Sequence, residues 1–181
     1  MALSIDDIVH LFEDRGAAMY GETVTQVEHA LQCAQLAEEG GAQPPLVVAS
    51  LLHDLGHLLA DPEKDVDDVH QYLALPFLRG VFPDSVLEPM KLHVDAKRYL
   101  CTVEPGYWDT LSKASKYSLV LQGGPFDEKQ VRKFRARPYA QDAVQLRVWD
   151  DFAKIAGKPT PPLSRYTAFM QECAAVTAPS R

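Results

Sequence analysis

A histidine and an aspartate stand side by side, His53-Asp54, at the end of the apolar run Leu46 to Leu52. Leu55-Gly56-His57 follows. An ionised carboxylate inside an apolar helix needs a compensating charge, and a buried imidazole needs both ring nitrogens satisfied. A metal ion answers both demands. The remaining ligand-type residues then become an inventory: His29 upstream, His57, His70 and His93 downstream, and Asp150 much later.

Helical spacing gathers further polar residues. Positions three, four and seven apart share a helix face. Four stretches show such sets on otherwise apolar helices: Glu22, Gln26 and His29; His53 and His57; His93 and Lys97; and Ser115, Ser118 and Gln122. Together they read as inward polar stripes around one cavity. His10 belongs to no stripe and reads as surface. Asp151, next to Asp150, reads as exposed, and Trp149 as core.

The elements that must carry these residues are helical throughout. Ile5, Ile8, Val9 and Phe12 make one apolar face behind a Ser4 or Asp6 cap. Val24 to Glu39 reads as a second helix stopped by Gly40-Gly41. Pro44-Pro45 opens a third, running to about His57. Further helices are expected over Asp67 to Leu78 with an interruption near Pro76, Asp84 to Leu100, Asp109 to Leu121, Asp127 to Arg135, Ala140 to Ala156 and Leu163 to Cys173. No alternating strand pattern is evident. The expectation is a single all-α domain over residues 1–175, with a short tail over 176–181.

Composition narrows the function. At 181 residues the chain fits one domain with a sizeable core. A formal net charge of -7 argues against a general nucleic-acid binder, which needs a basic surface. A small anionic substrate needs only a few local cations. Cys33, Cys101 and Cys173 are few and scattered, which suggests reduced thiols. No apolar stretch is long enough to span a bilayer, and the start of the chain does not read as a signal peptide. The expected location is the cytoplasm, with no membrane partner; the oligomeric state stays open.

The order of His29, His53-Asp54 and Asp150 resembles the HD superfamily of metal-dependent helical enzymes. That resemblance implies one metal held by His29, His53, Asp54 and Asp150. His70 and His93 imply a second, with Asp54 bridging. The N/O donors suit iron, manganese or zinc. A closer resemblance covers most of the chain. Glu28-His29-Ala30-Leu31-Gln32-Cys33-Ala34, His93 to Leu100 and Gln122-Gly123-Gly124-Pro125 followed by Asp127-Glu128 are similar to the mixed-valent di-iron oxygenases of phosphonate breakdown, the PhnZ and TmpB type. The segments around His53-Asp54 and Val148-Trp149-Asp150 fit the same pattern.

This resemblance implies two iron ions, Fe(II)/Fe(III), and O2 as co-substrate. The substrate would be a small zwitterionic 1-hydroxy-2-aminoethylphosphonate, whose carbinol carbon is oxidised so that the carbon–phosphorus bond breaks. Products would be phosphate and glycine or its N-methylated equivalent. It further implies that His57, Lys97, Ser115, Ser118 and Gln122 cradle the phosphonate, and that Glu22 faces the amine. A departure occurs at Met19, where better-known members acting on the primary amine carry a Tyr. A trimethylammonium offers no hydrogen-bond donor and suits aromatic faces, which Tyr20, Tyr99, Tyr107 or Trp108 could supply. The exchange therefore favours the trimethylammonio substrate and glycine betaine as product. The alternative is an HD-type phosphohydrolase acting on a small phosphate ester with the same ligands. A metal-free binding module is a third, weaker reading, since the ligand set is complete.

Overall fold

A computed structural model of the chain describes residues 2–20, 23–60 and 69–177, with side chains as far as Ala174. Its elements are helices α1 (Ile5–Arg15), α2 (Gln26–Glu39), α3 (Pro44–Leu52), α4 (Leu55–Leu59), α5 (His70–Leu73), α6 (Leu75–Leu78), α7 (Asp84–Val103), α8 (Tyr107–Thr110), α9 (Lys113–Leu121), α10 (Glu128–Arg135), α11 (Ala140–Phe152) and α12 (Leu163–Thr177). A two-stranded antiparallel ribbon, β1 (Met19–Tyr20) with β2 (Val24–Thr25), sits between α1 and α2. The all-α expectation holds, with this ribbon as its one addition among the described residues.

Helix α3 is the axis of the fold. Every residue from Val47 to Leu52 is buried, and α2, α7, α11 and α12 all pack on it. A helix that is apolar all round can only be stable in such a position. Ile8, Phe12, Leu51, Leu52, Leu78, Met90, Leu146, Tyr166 and Met170 join the same core. A smaller apolar cluster of Leu92, Ala96, Phe126, Phe134 and Ala143 seals α7 against α10 and α11.

Several boundaries differ from the sequence expectation, each for a local reason. The second helix starts at Gln26, not Val24. Thr25 is its N-cap, accepting from the Glu28 N–H at 3.2 Å, while Glu28 Oε2 accepts from the Thr25 N–H at 2.8 Å. Val24 and Thr25 are thereby left to pair with β1. The third helix stops at Leu52, and His53 and Asp54 form a turn before α4. His53 and His57 therefore do not share a helix face. The segment to Leu78, expected to be interrupted near Pro76, is two short helices in its described part, meeting at Ala74 with Pro76 near the start of α6; its expected start at Asp67 lies outside the described residues.

The expected helix over Asp109 to Leu121 is broken in two. Gly106 starts α8 with φ +82°, and Ser112 begins α9 by accepting from the Ser115 N–H at 3.1 Å. Helix α7 runs on to Val103, α11 ends at Phe152 instead of Ala156, and α12 reaches Thr177. No helix among the described residues is long and apolar enough to cross a membrane. The three cysteines are free.

Candidate metal centre

His29 leaves α2 one turn after its cap, and His93 comes from the middle of α7. Asp150 sits in the last turn of α11, and His70 opens α5. His53 and Asp54 come from the turn after α3. That turn matters: on an unbroken helix two adjacent side chains diverge by about 100°. With Asp54 at φ −103°, ψ 12°, both converge on one point.

The six side chains meet around the Asp54 carboxylate. Its Oδ2 lies 3.3 Å from His53 Nε2 and 3.6 Å from His29 Nε2. Its Oδ1 lies 3.2 Å from His70 Nε2 and 3.5 Å from His93 Nε2. Asp150 joins the first side only, 3.4 Å from His29 Nε2. One carboxylate thus turns one oxygen to each of two imidazole pairs. Asp54 with His70 and His93 forms one set of donors that could hold a metal ion; His29, His53 and Cys33 form another. Cys33 was not singled out as a donor by the sequence reading. Its Sγ is 3.8 Å from His29 Nε2, and burial pushes its thiol pKa well up, which keeps it neutral.

The ring orientations are fixed from behind. Nδ1 of His29 donates to the Ala153 carbonyl at 2.8 Å, His53 to Ser50 at 2.9 Å and His93 to Met90 at 2.6 Å. A carbonyl can only accept, so each Nδ1 carries a proton and each Nε2 lone pair is aimed at the centre. His29 Nε2 and His53 Nε2 then face each other at 3.3 Å, and His70 Nε2 and His93 Nε2 at 3.0 Å. For His29 and His53, both of which have spent Nδ1–H on a carbonyl, lone pair against lone pair at that range is repulsive unless a cation sits between them.

Electrostatics make the same demand. Burial holds His29 down at about 4 and His93 well below the usual imidazole range, which favours the neutral, metal-binding form. Burial also works against charge on His53, but Asp54 and Asp150 outweigh it and raise its pKa. The carboxylates thus call for positive charge at the point where the donors converge. These residues fit a metal pair by their donor chemistry.

A cavity of about 700 Å³ opens directly onto Asp54, His70, His93 and Asp150. Its wall includes Tyr20, His57, Lys97, Ser115 and Ser118. Lys97 is buried to 3% exposure, and its Nζ donates to Ser118 Oγ at 2.7 Å. Tyr20 lies flat on His29, ring centroids 3.8 Å apart. His57 is exposed and stacks on His70 at 4.3 Å. Gln122 closes the last turn of α9 and is not among the residues lining the cavity. Glu22 lies outside the described residues.

Two neighbours of Asp150 were missed or misread in the sequence. Arg147, buried to 4%, places Nη1 2.6 Å from Asp150 Oδ2. Asp151, expected to be exposed, pairs with Arg147 Nη2 and accepts from the Tyr107 hydroxyl. The i, i+3 and i+4 spacing of Arg147 to the two aspartates was legible, and Asp150 as a ligand already turned that face of α11 inward, so the signal for Arg147 was present in the sequence.

Fold and site together define a helical protein whose buried carboxylate links two sets of metal-type donors beside a cationic cavity. No family model matches the chain. Curated proteins do. A hydroxymethylphosphonate dioxygenase of Gimesia maris is 39% identical over 175 residues, 93% of this chain and 87% of that protein. The glycine-betaine-forming [1-hydroxy-2-(trimethylamino)ethyl]phosphonate dioxygenase of Leisingera caerulea is 35% identical over 92% of this chain and 88% of its own length. An uncharacterized protein of Acanthamoeba polyphaga mimivirus is 34% identical over 93% of this chain. The chain belongs to the family of these phosphonate dioxygenases.

Proposed function

We propose that the protein uses O2 to cleave the carbon–phosphorus bond of an α-hydroxyphosphonate, with 1-hydroxy-2-(trimethylammonio)ethylphosphonate as its first candidate substrate. The single observation that carries this reading is Asp54, facing two imidazole pairs at the floor of a cavity walled by Lys97. His29, His53, Asp54 and Asp150 would hold one iron ion; Asp54, His70 and His93 the other. Bound iron would supply Lewis acidity toward the substrate oxygens and the electron transfer that O2 chemistry requires.

The chain's own residues do the rest. Lys97 neutralises the phosphonate as a charge-assisted donor, and Ser118 holds the ammonium in place before substrate arrives. His57 and Ser115 offer further hydrogen bonds at the same wall. Tyr20 covers His29 and shields that side of the centre from water. The overall change balances with one O2 per turnover. The carbinol carbon loses its hydrogen and its bond to phosphorus and becomes a carboxylate, glycine betaine. The phosphorus leaves as phosphate, O2 is the four-electron oxidant, and one proton is released.

The relatives support oxygenase chemistry over hydrolysis, since both named ones are dioxygenases. They also support a second substrate reading. The cavity wall carries Lys97, Lys113, Arg147 and Lys154, and its only acids among the described residues are Asp54 and Asp150. That cationic wall suits a small phosphonate anion, as in hydroxymethylphosphonate, which the Gimesia maris relative's name specifies. The test is phosphate release by Fe(II)-loaded protein from both substrates, with and without O2. Oxygen-dependent release with one O2 consumed per phosphate is expected. Release in the absence of O2 would establish a hydrolase instead.

A further inference from the structure

The metal ligand Asp150 is held by a closed polar ring. Arg147 Nη1 donates to Asp150 Oδ2 at 2.6 Å, and Nη2 of the same guanidinium pairs with Asp151 Oδ1. Arg147 Nε donates to the Tyr107 hydroxyl oxygen at 3.2 Å. The Tyr107 hydroxyl in turn donates to Asp151 Oδ2. Burial pushes the Tyr107 pKa up, so it stays a neutral donor. On the other side, Lys154 Nζ lies 3.2 Å from Asp150 Oδ1 and 3.8 Å from Asp151 Oδ1.

Charge balance gives the ring a purpose. Asp150 alone between Arg147 and Lys154 would be over-neutralised, leaving little negative charge for a cation. Asp151 is the second carboxylate that shares both bases, so the group of four is neutral. It also takes up the second half of the Arg147 fork. Arg147 Nε is shared between the Tyr107 hydroxyl at 3.2 Å and Asp151 Oδ2 at 3.3 Å, and the Tyr107 hydroxyl donates to that same Oδ2, so Tyr107 closes the ring between the guanidinium and Asp151. A planar guanidinium held at Nε, Nη1 and Nη2 cannot rotate, and neither can the carboxylate it grips.

We infer that Tyr107 and Asp151 are positioning residues that act through Arg147 to fix the Asp150 carboxylate toward the first donor set. The ring also ties α8, which leads into the α9 wall of the cavity, to that ligand. This inference rests on reading the donor sets as a metal centre. Residues that orient ligands typically change metal affinity by about 10–100-fold when replaced.

The experiment is anaerobic Fe(II) titration against a competing chelator, with wild type, Tyr107→Phe and Asp151→Asn, both near-isosteric. Each is repeated in a His93→Ala background, where only the first donor set stays complete. Wild type should take up two equivalents. Both variants should weaken one equivalent by about 10–100-fold and leave the other unchanged, with the weakened one persisting in the His93→Ala background. Arg147→Lys should weaken the same equivalent, since it keeps the charge and loses the fork. The melting temperature of the metal-free variants should match wild type. Two equivalents at wild-type affinity in both variants would overturn the inference while leaving the metal centre intact. Equal weakening at both sets would overturn it too, as general disorder. A wild type that binds no Fe(II) would sink the metal reading itself.

Discussion

The two halves of the centre are built differently. The first set, His29, His53 and Asp150, draws on α2, the turn that ends α3, and α11, all built into the main core, and all three side chains are at most 1% exposed. Both imidazoles are anchored on backbone carbonyls, and Asp150 is gripped by Arg147 and Lys154. The second set relies on α7 for His93 but on the four-residue α5 for His70, which is 8% exposed, borders the cavity and stacks on exposed His57. Both halves border the cavity, the first through Asp150 and the second through His70 and His93, but the first rests on the core helices and the second on the short α5.

The largest effect should come from the residue the halves share. Asp54→Asn removes the charge that faces both pairs, and should cost both metal equivalents and at least about 1000-fold in turnover; metal analysis beside phosphate release checks this. Retention of both metals would mean that Asp54 does not link the halves. Gly56→Ala comes next and should strike the second half alone. A Cβ at Gly56 would stand 2.1 Å from the His70 carbonyl oxygen, which forces α4 and α5 apart. The expected outcome is a loss of about 1–3 kcal/mol in stability from overpacking. One metal equivalent should also weaken, while the first holds.

Lys97→Ala should leave both metals bound and raise KM for phosphonate by about 10–100-fold, because a charge-assisted hydrogen bond is lost while the ligands stay. A shift in metal content would place Lys97 in the centre and not in the substrate wall. Slow chelator extraction is the finer test of the contrast. The second equivalent should leave faster than the first, and the order should reverse in Tyr107→Phe. The smallest effect is expected from Ser115→Ala, a change of under about 1 kcal/mol in phosphonate binding, as its Oγ accepts from Ser112 in the α9 cap.

Much of the helical architecture was readable because its signals are local: the Ser4 cap, Pro44-Pro45 at a helix start, and the apolar run that has to be central. The Thr25–Glu28 capping pair is equally local but was passed over, which put the start of α2 at Val24. The candidate ligands were readable because histidines and carboxylates on apolar helices are costly without a partner. Helical spacing misled where backbone breaks intervene. His53 and His57 look like one face, yet the chain turns between them. Asp109 to Leu121 looks like one helix, yet it is two. Asp151 looked like solvent-facing charge, because a sequence cannot tell which side of α11 meets Tyr107 from a helix over 40 residues away.

The sequence by itself determined the donor types, the apolar helices that carry them and Lys97 one turn from His93, since these follow from residue chemistry and short-range periodicity. Only the tertiary structure decided that Asp54 turns one oxygen to each imidazole pair, that Nδ1 of His29, His53 and His93 is spent on a backbone carbonyl, and that Arg147 joins Asp150 to Asp151 and Tyr107. The His53–Ser50, His93–Met90 and Arg147–Asp150 contacts are local, three residues apart, but Asp54 to His70, His29 to Ala153 and Arg147 to Tyr107 join residues far apart in the chain, and those are set by how whole helices pack on α3.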